Sequence, residues 1–162
     1  MQRLEHKTKL AEVTGIQEEG LLERLIDLQI TADSLEALML VPLVEVAWAS
    51  GTVHGKQREA VMKAAQQSGV APDSTAHRLL VDWLATRPGP ELLSTWKDYV
   101  HSQSRRMGPA ALETMRDDIM DRALFVAESV GGILGFHKMA REERAKLEEL
   151  GRLLEELAAA FA

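Results

Sequence analysis

Two histidine–glutamate pairs and one isolated carboxylate are the residues whose chemistry invites attention. His54 precedes Glu59 by five residues, and His137 precedes Glu142 by the same five. Imidazole suits Zn, Ni or Cu, and a carboxylate can share such a site. The spacing runs across a turn into a helix start and matches no established ligand signature of the H-E-x-x-H kind. Histidines that cap turns would also account for it, with glutamates placed where the helix macrodipole favours them. Glu45 stands alone between Val44 and Val46 in a stretch otherwise nearly bare of charge. If buried, it needs a raised pKa or a partner, which could be Arg58, another cation, a water or a ligand. Glu45, His54, Glu59, His137 and Glu142 are thus the candidate metal ligands, and a divalent metal is the one cofactor they would imply. Asp117, Asp118 and Asp121 add an acidic cluster, with Asp117 and Asp121 at i,i+4. Arg116 and Arg122 beside them favour a solvated face laced with ion pairs.

Nucleophilic catalysis has little to work with. The chain has no cysteine, no G-x-S-x-G elbow and no phosphate-binding glycine loop. Helix termination accounts for Gly131-Gly132. A non-enzymatic protein is expected. The absence of cysteine also removes disulfides and thiolate metal sites, which fits a cytoplasmic protein.

The elements that must position these residues are helical. At 162 residues the chain is long enough for one domain with a sizeable core. Aromatics are only 4%, and Leu, Ala and Val carry the apolar mass, which favours helices over sheets. A net charge of −6 removes the basic footprint expected for nucleic acid or an anionic membrane. The N-terminal residues MQRLEHKTKLAEV contain no signal-peptide core. The stretch Leu35–Ser50 is apolar on almost every face, yet shorter than the roughly 20 residues needed to span a bilayer. It reads as a helix buried in protein. Asp33 and Glu36 resemble its N-cap and N3 residues, and Pro42 should kink it or divide it into two shorter helices.

Helices are predicted over 3–13, 16–30, 56–68, from Pro72-Asp73-Ser74 to about Thr86, from Pro90, over 109–130 and over 140–160. Pro88-Gly89-Pro90 and Gly108-Pro109 punctuate them. Trp83, Trp96 and Tyr99 fall at helical spacing beside leucines, as core residues do. Leu147, Leu150, Leu154, Leu157 and Phe161 repeat in a 3-4-3-4 rhythm. Two or three heptads of that kind pack on the parent domain more often than on a partner, although a homodimer through them is conceivable. No segment alternates with period two. The expected fold is an all-α bundle of seven to eight helices around a buried central helix. It would form a single domain over 1–162, with N-terminal helices (1–30), a first repeat (33–70), connecting helices (72–105) and a second repeat (109–162).

The repeat is weak but legible. VAWASGTVHGKQREAV at 46–61 is similar to VAESVGGILGFHKMAREERAKL at 126–147. In each, Val-Ala closes an apolar helix and is followed by glycine, a β-branched residue and a histidine, and then by a glutamate early in the next helix. The second copy has three or four extra loop residues. A pseudo-two-fold arrangement of helix–turn–helix units would place His54 and His137 in equivalent turns. With the preceding PLVE, these strings resemble the tellurite-resistance protein B (TerB)-like family, over roughly residues 35–70 and 110–155. Its pattern of Ala-Asp-Gly, an apolar residue and a helix-opening Glu would fall on Ala49-Ser50-Gly51, Val53 and Glu59. The resemblance implies a compact helical domain tied to stress and chemical-resistance responses, with an acidic metal patch in some members. Here the aspartate positions hold Ser50 and Val130, whereas calcium takes six to eight oxygen ligands.

The leading expectation is a TerB-like binding or scaffold module that engages a protein partner through its inter-helix turns. The contact residues would be Ser50, Thr52, His54, Lys56, Phe136 and His137, since loops on a rigid frame usually carry recognition. The alternative is a divalent-metal-binding or sensing protein using the same turns. A hydrolase built on that metal is a more distant possibility.

Overall fold

A computed structural model describes residues 2–130 and 139–160. Among these, eight α-helices and one 3₁₀ helix account for the regular structure, and no strand forms. In chain order they are α1 (Gln2–Thr14), α2 (Glu19–Asp27), the 3₁₀ helix (Ala32–Leu40), α3 (Val41–Trp48), α4 (Gly55–Gln67), α5 (Thr75–Ala85), α6 (Pro90–Ser104), α7 (Pro109–Glu128) and α8 (Arg141–Ala159). The all-α bundle expected from periodicity is the fold observed. No described helix is long and apolar enough to cross a membrane.

The central apolar stretch divides in two. Leu40 is the N-cap of α3 and Pro42 lies in its first turn, where a missing N–H leaves no helical bond unmade. Upstream, the chain runs as 3₁₀ helix from Ala32. Its N-cap is Thr31 rather than the expected Asp33, and the N3 residue is Ser34 rather than Glu36. The Thr31 backbone N–H donates to Ser34 Oγ at 2.9 Å. Ser34 is fully buried while Asp33 and Glu36 are exposed, so the small hydroxyl can close the turn inside the core and the two acids can stay hydrated.

Around α3 the other helices form a shell. Val41, Pro42, Leu43, Val44, Val46 and Ala47 are buried against the 3₁₀ helix, α4, α5, α6, α7 and α8. Trp48 Nε1 donates to the Trp83 carbonyl at 2.7 Å, which fastens the end of α3 to α5. One hydrophobic cluster draws residues from every helix, including Leu10 of α1, Leu25 of α2, Val61 of α4, Leu80 of α5, Trp96 of α6, Ala123 of α7 and Leu150 of α8. Trp83 and Trp96 are core residues, as their spacing suggested, and Tyr99 packs partly buried against the same cluster. The leucine rhythm of α8 is consumed within the chain: Leu147, Leu150, Leu154 and Leu157 are buried, and α8 lies against α7, α3 and α6. Phe161 lies outside the described residues.

The stops follow the predicted chemistry. Gly51 and Gly69, at φ +99° and +93°, turn the chain after α3 and α4 in a region that side chains with a Cβ rarely adopt. Gly89 and Gly108 cap α6 and α7, each followed by proline. α5 starts at Ser74, whose hydroxyl accepts from the His77 N–H at 3.1 Å. α7 ends at Glu128, two residues before the predicted end.

Candidate functional site

The two helix entries singled out by the repeat are built alike and joined to each other. At the start of α4, His54 is the N-cap and Gln57 the N3 residue, and the His54 backbone N–H donates to Gln57 Oε1 at 3.1 Å. At the start of α8, Ala140 is the N-cap and Glu143 the N3 residue, and the Ala140 N–H donates to Glu143 Oε1 at 3.0 Å. Each side chain therefore satisfies a backbone donor left over at its own helix terminus. Their remaining polar atoms face one another, and Gln57 Nε2 donates to Glu143 Oε2. Gln57 is fully buried and Glu143 is 3% exposed. A polar bridge thus ties the two helix starts together inside the protein, with every side-chain atom partnered.

This bridge corrects the expected pairing of positions. The equivalent residues are Gln57 and Glu143, not Glu59 and Glu142. Six residues separate α3 from α4 and twelve separate α7 from α8. The second connection is therefore longer by six, more than the three or four expected. The offset is masked in the sequence by a glutamate five residues after each histidine. The detectable signal was the helix-start pattern itself, a Gln or Glu three residues after each N-cap.

The sequence-predicted ligands are dispersed. His54 is exposed at the N-cap of α4, and Glu59 is exposed one turn further along. Glu142 is exposed in the first turn of α8. Phe136 and His137 lie outside the described residues. Among the described residues, no three histidines, aspartates or glutamates gather in a way that could hold a metal ion. Of the acidic cluster, Asp117 pairs with Arg116 at 3.4 Å. Arg122 turns instead to Ser68 Oγ on the far end of α4, and Asp118 and Asp121 are exposed.

Glu45 is the outlier that its surroundings implied. It is the single half-buried residue in a run of buried ones on α3, with its side chain 19% exposed. Its cation is Lys146 of α8 at 3.9 Å, not Arg58, which is exposed on α4. Burial raises the Glu45 carboxyl above the usual carboxylate range. Lys146 pulls it back, Glu149 pushes it up further and Arg87 lowers it. The side chain opens into a cleft of about 550 Å³ bounded by the α5–α6 linker, α6 and α8.

The turn between α3 and α4 completes the set. Ser50, Gly51, Thr52, His54 and Lys56 are all exposed, and Val53 is half-buried beneath them. Ser50 Oγ donates to the Thr52 carbonyl at 3.4 Å, a weak closure within the turn. The residues on either side are anchored, by Trp48 to α5 and by Gln57 to α8. No protein-family model, no curated protein and no solved structure matches this chain.

Proposed function

We propose that this chain is a non-enzymatic helical binding or scaffold module of TerB-like type, acting in a cytoplasmic stress or tellurite/chemical-resistance response. It would offer the α3–α4 turn to a protein partner. The observation that carries this reading is the contrast at that turn. The most buried helix of the molecule ends in a short polar tip at which Ser50, Thr52, His54 and Lys56 are exposed together. Side-chain hydrogen bonds from Trp48 to the Trp83 carbonyl and from Gln57 to Glu143 fix the chain before and after it. A tip held on such a frame loses little conformational entropy on docking, which favours recognition. The stress-response assignment rests on the sequence resemblance alone.

The test is comparative affinity capture. Wild type and a Thr52→Glu/Lys56→Glu double variant, matched for melting temperature, are used as baits under identical conditions. Both positions are exposed, so the fold should be retained. The expected result is a partner recovered with wild type and lost with the variant. A set of captured proteins that is the same for both baits would reject the turn as the docking surface.

A further inference from the structure

We propose that the cleft between the α5–α6 linker, α6 and α8 binds a small aliphatic zwitterion, its ammonium against Glu45 and its carboxylate against Arg87 and Lys97. This site is separate from the α3–α4 turn and does not depend on the docking role proposed for it.

The charges in the cleft do not close among themselves. Five ionisable side chains line it: Glu45, Arg87, Lys97, Lys146 and Glu149. Lys146 is already committed to Glu149 at 2.7 Å, and it approaches Glu45 only to 3.9 Å, beyond hydrogen-bond reach. Glu45 makes no hydrogen bond among the described residues, although it is four-fifths buried. Its carboxylate oxygens open to the cleft, so partial burial without a protein donor leaves them available to a ligand's N–H. At the rim, Arg87 and Lys97 are exposed and take part in no ion pair among the described residues. The cleft therefore has at its floor an anion without a protein hydrogen bond, and at its edge two cations that form no ion pair among the described residues, of which Arg87 is near enough to act on that anion.

Elimination fixes the ligand class. A simple anion drawn to Arg87 and Lys97 would meet Glu45 and Glu149. A simple cation drawn to Glu45 would meet Lys146 and the two rim cations. A molecule carrying both charges on one stem answers both sets. The stem has a surface to lie on, because Pro88, Pro90, Leu93 and Leu153 form the apolar part of the lining. The volume also falls within the roughly 300–1,000 Å³ typical of small-molecule sites. A free amino acid with a terminal ammonium and the C-terminal lysine of a peptide share this chemistry.

Amide chemical-shift titration of the full chain tests the proposal with four probes: 6-aminohexanoate, Nα-acetyl-lysine, hexanoate and hexylamine. Nα-acetyl-lysine stands for a peptide terminus, 6-aminohexanoate for a free amino acid, and the last two for each charge alone. The expected result is binding of one or both zwitterions, centred on residues of the cleft, with hexanoate and hexylamine weaker by about tenfold or more. Glu45→Gln and Arg87→Ala should each weaken the zwitterion by about tenfold, and Lys97→Ala should weaken it by less. All three variants leave the apolar core intact, so loss of binding would not reflect loss of fold. Any one of three results would overturn the proposal. None of the probes shifts the cleft at about 10 mM, enough to fill most of a site with a Kd of about 1 mM. Hexanoate or hexylamine binds as tightly as the zwitterions. Glu45→Gln binds them undiminished.

Discussion

Glu143 is the residue on which most local order depends, because its two oxygens satisfy donors from two separate helices. Replacing it with alanine leaves the buried Gln57 amide and the half-buried Ala140 N–H without these partners. Each unsatisfied donor costs about 1–3 kcal/mol, so Glu143→Ala should destabilise the protein by about 2–6 kcal/mol. At this chain length that lowers the melting temperature by roughly 5–15 °C. Gln57→Ala should also destabilise, and the double variant should lose less than the sum of the two singles. Additive losses in urea denaturation would mean that the bridge is not a coupled unit. Glu45 makes a prediction of the opposite sign. Burial raises its carboxyl pKa above that of an ordinary glutamate, so ionisation at neutral pH costs the folded state more than the unfolded one. The stability lost this way is restored as pH falls through the folded-state pKa and is fully present below about 4.5, the unfolded value. Glu45→Gln should therefore stabilise at pH 7, with the advantage fading toward acid. A destabilised Gln variant at neutral pH would show that the Lys146 pair outweighs the burial.

At the scale of elements, the fold was largely legible because helix boundaries here are written in strong local chemistry. Ser74, Gly89-Pro90 and Gly108-Pro109 start helices where their types require, and the inward residues of α5, α6 and α8 fall where a 3.6-residue period puts them. What the sequence concealed depends on tertiary context. Asp33 and Glu36 form a better capping pair than Thr31 and Ser34 by residue preference, yet Ser34 is the position that faces the core, where a small hydroxyl closes the turn while both acids stay exposed. Likewise, nothing local marks Gln57 and Glu143 as partners, because the pairing spans 86 residues and depends on how α4 and α8 come together. Pro42 tests the division of the central stretch. In the interior of one continuous helix, its replacement by alanine would relieve about 3 kcal/mol. In the first turn of α3 there is no such strain, and the variant gains chain entropy in the unfolded state. Pro42→Ala should leave stability unchanged or lower it by up to about 1 kcal/mol. A gain of several kcal/mol in equilibrium unfolding would contradict the break at Leu40.

Over the described molecule, helices are held by different means, and α1 combines two of them along its length. Its N-terminal half meets α2 chiefly through charge: Arg3 pairs with Glu23 and with Asp27 at 2.9 Å, and Lys7 pairs with Glu19 at 2.9 Å and Glu23 at 2.8 Å. Leu4 stays 63% exposed there, so little apolar burial backs those pairs. Its C-terminal half is held differently. Leu10 is fully buried, Thr14 is buried, and the Thr14 carbonyl accepts from Gln103 at 3.0 Å and from Arg106. Exposed ion pairs weaken as salt shortens the Debye length from about 10 Å at 0.1 M to about 3 Å at 1 M, whereas apolar burial does not. Raising salt at constant pH should therefore speed hydrogen exchange in the first two turns of α1 and leave α3 and α8 as protected as before. Exchange in the third turn, around Leu10, should change little, so that α1 opens from its start as a fraying end. Uniform acceleration along α1 would mean that the helix detaches as one unit. No acceleration at all would mean that the Arg3 and Lys7 pairs contribute nothing to holding it.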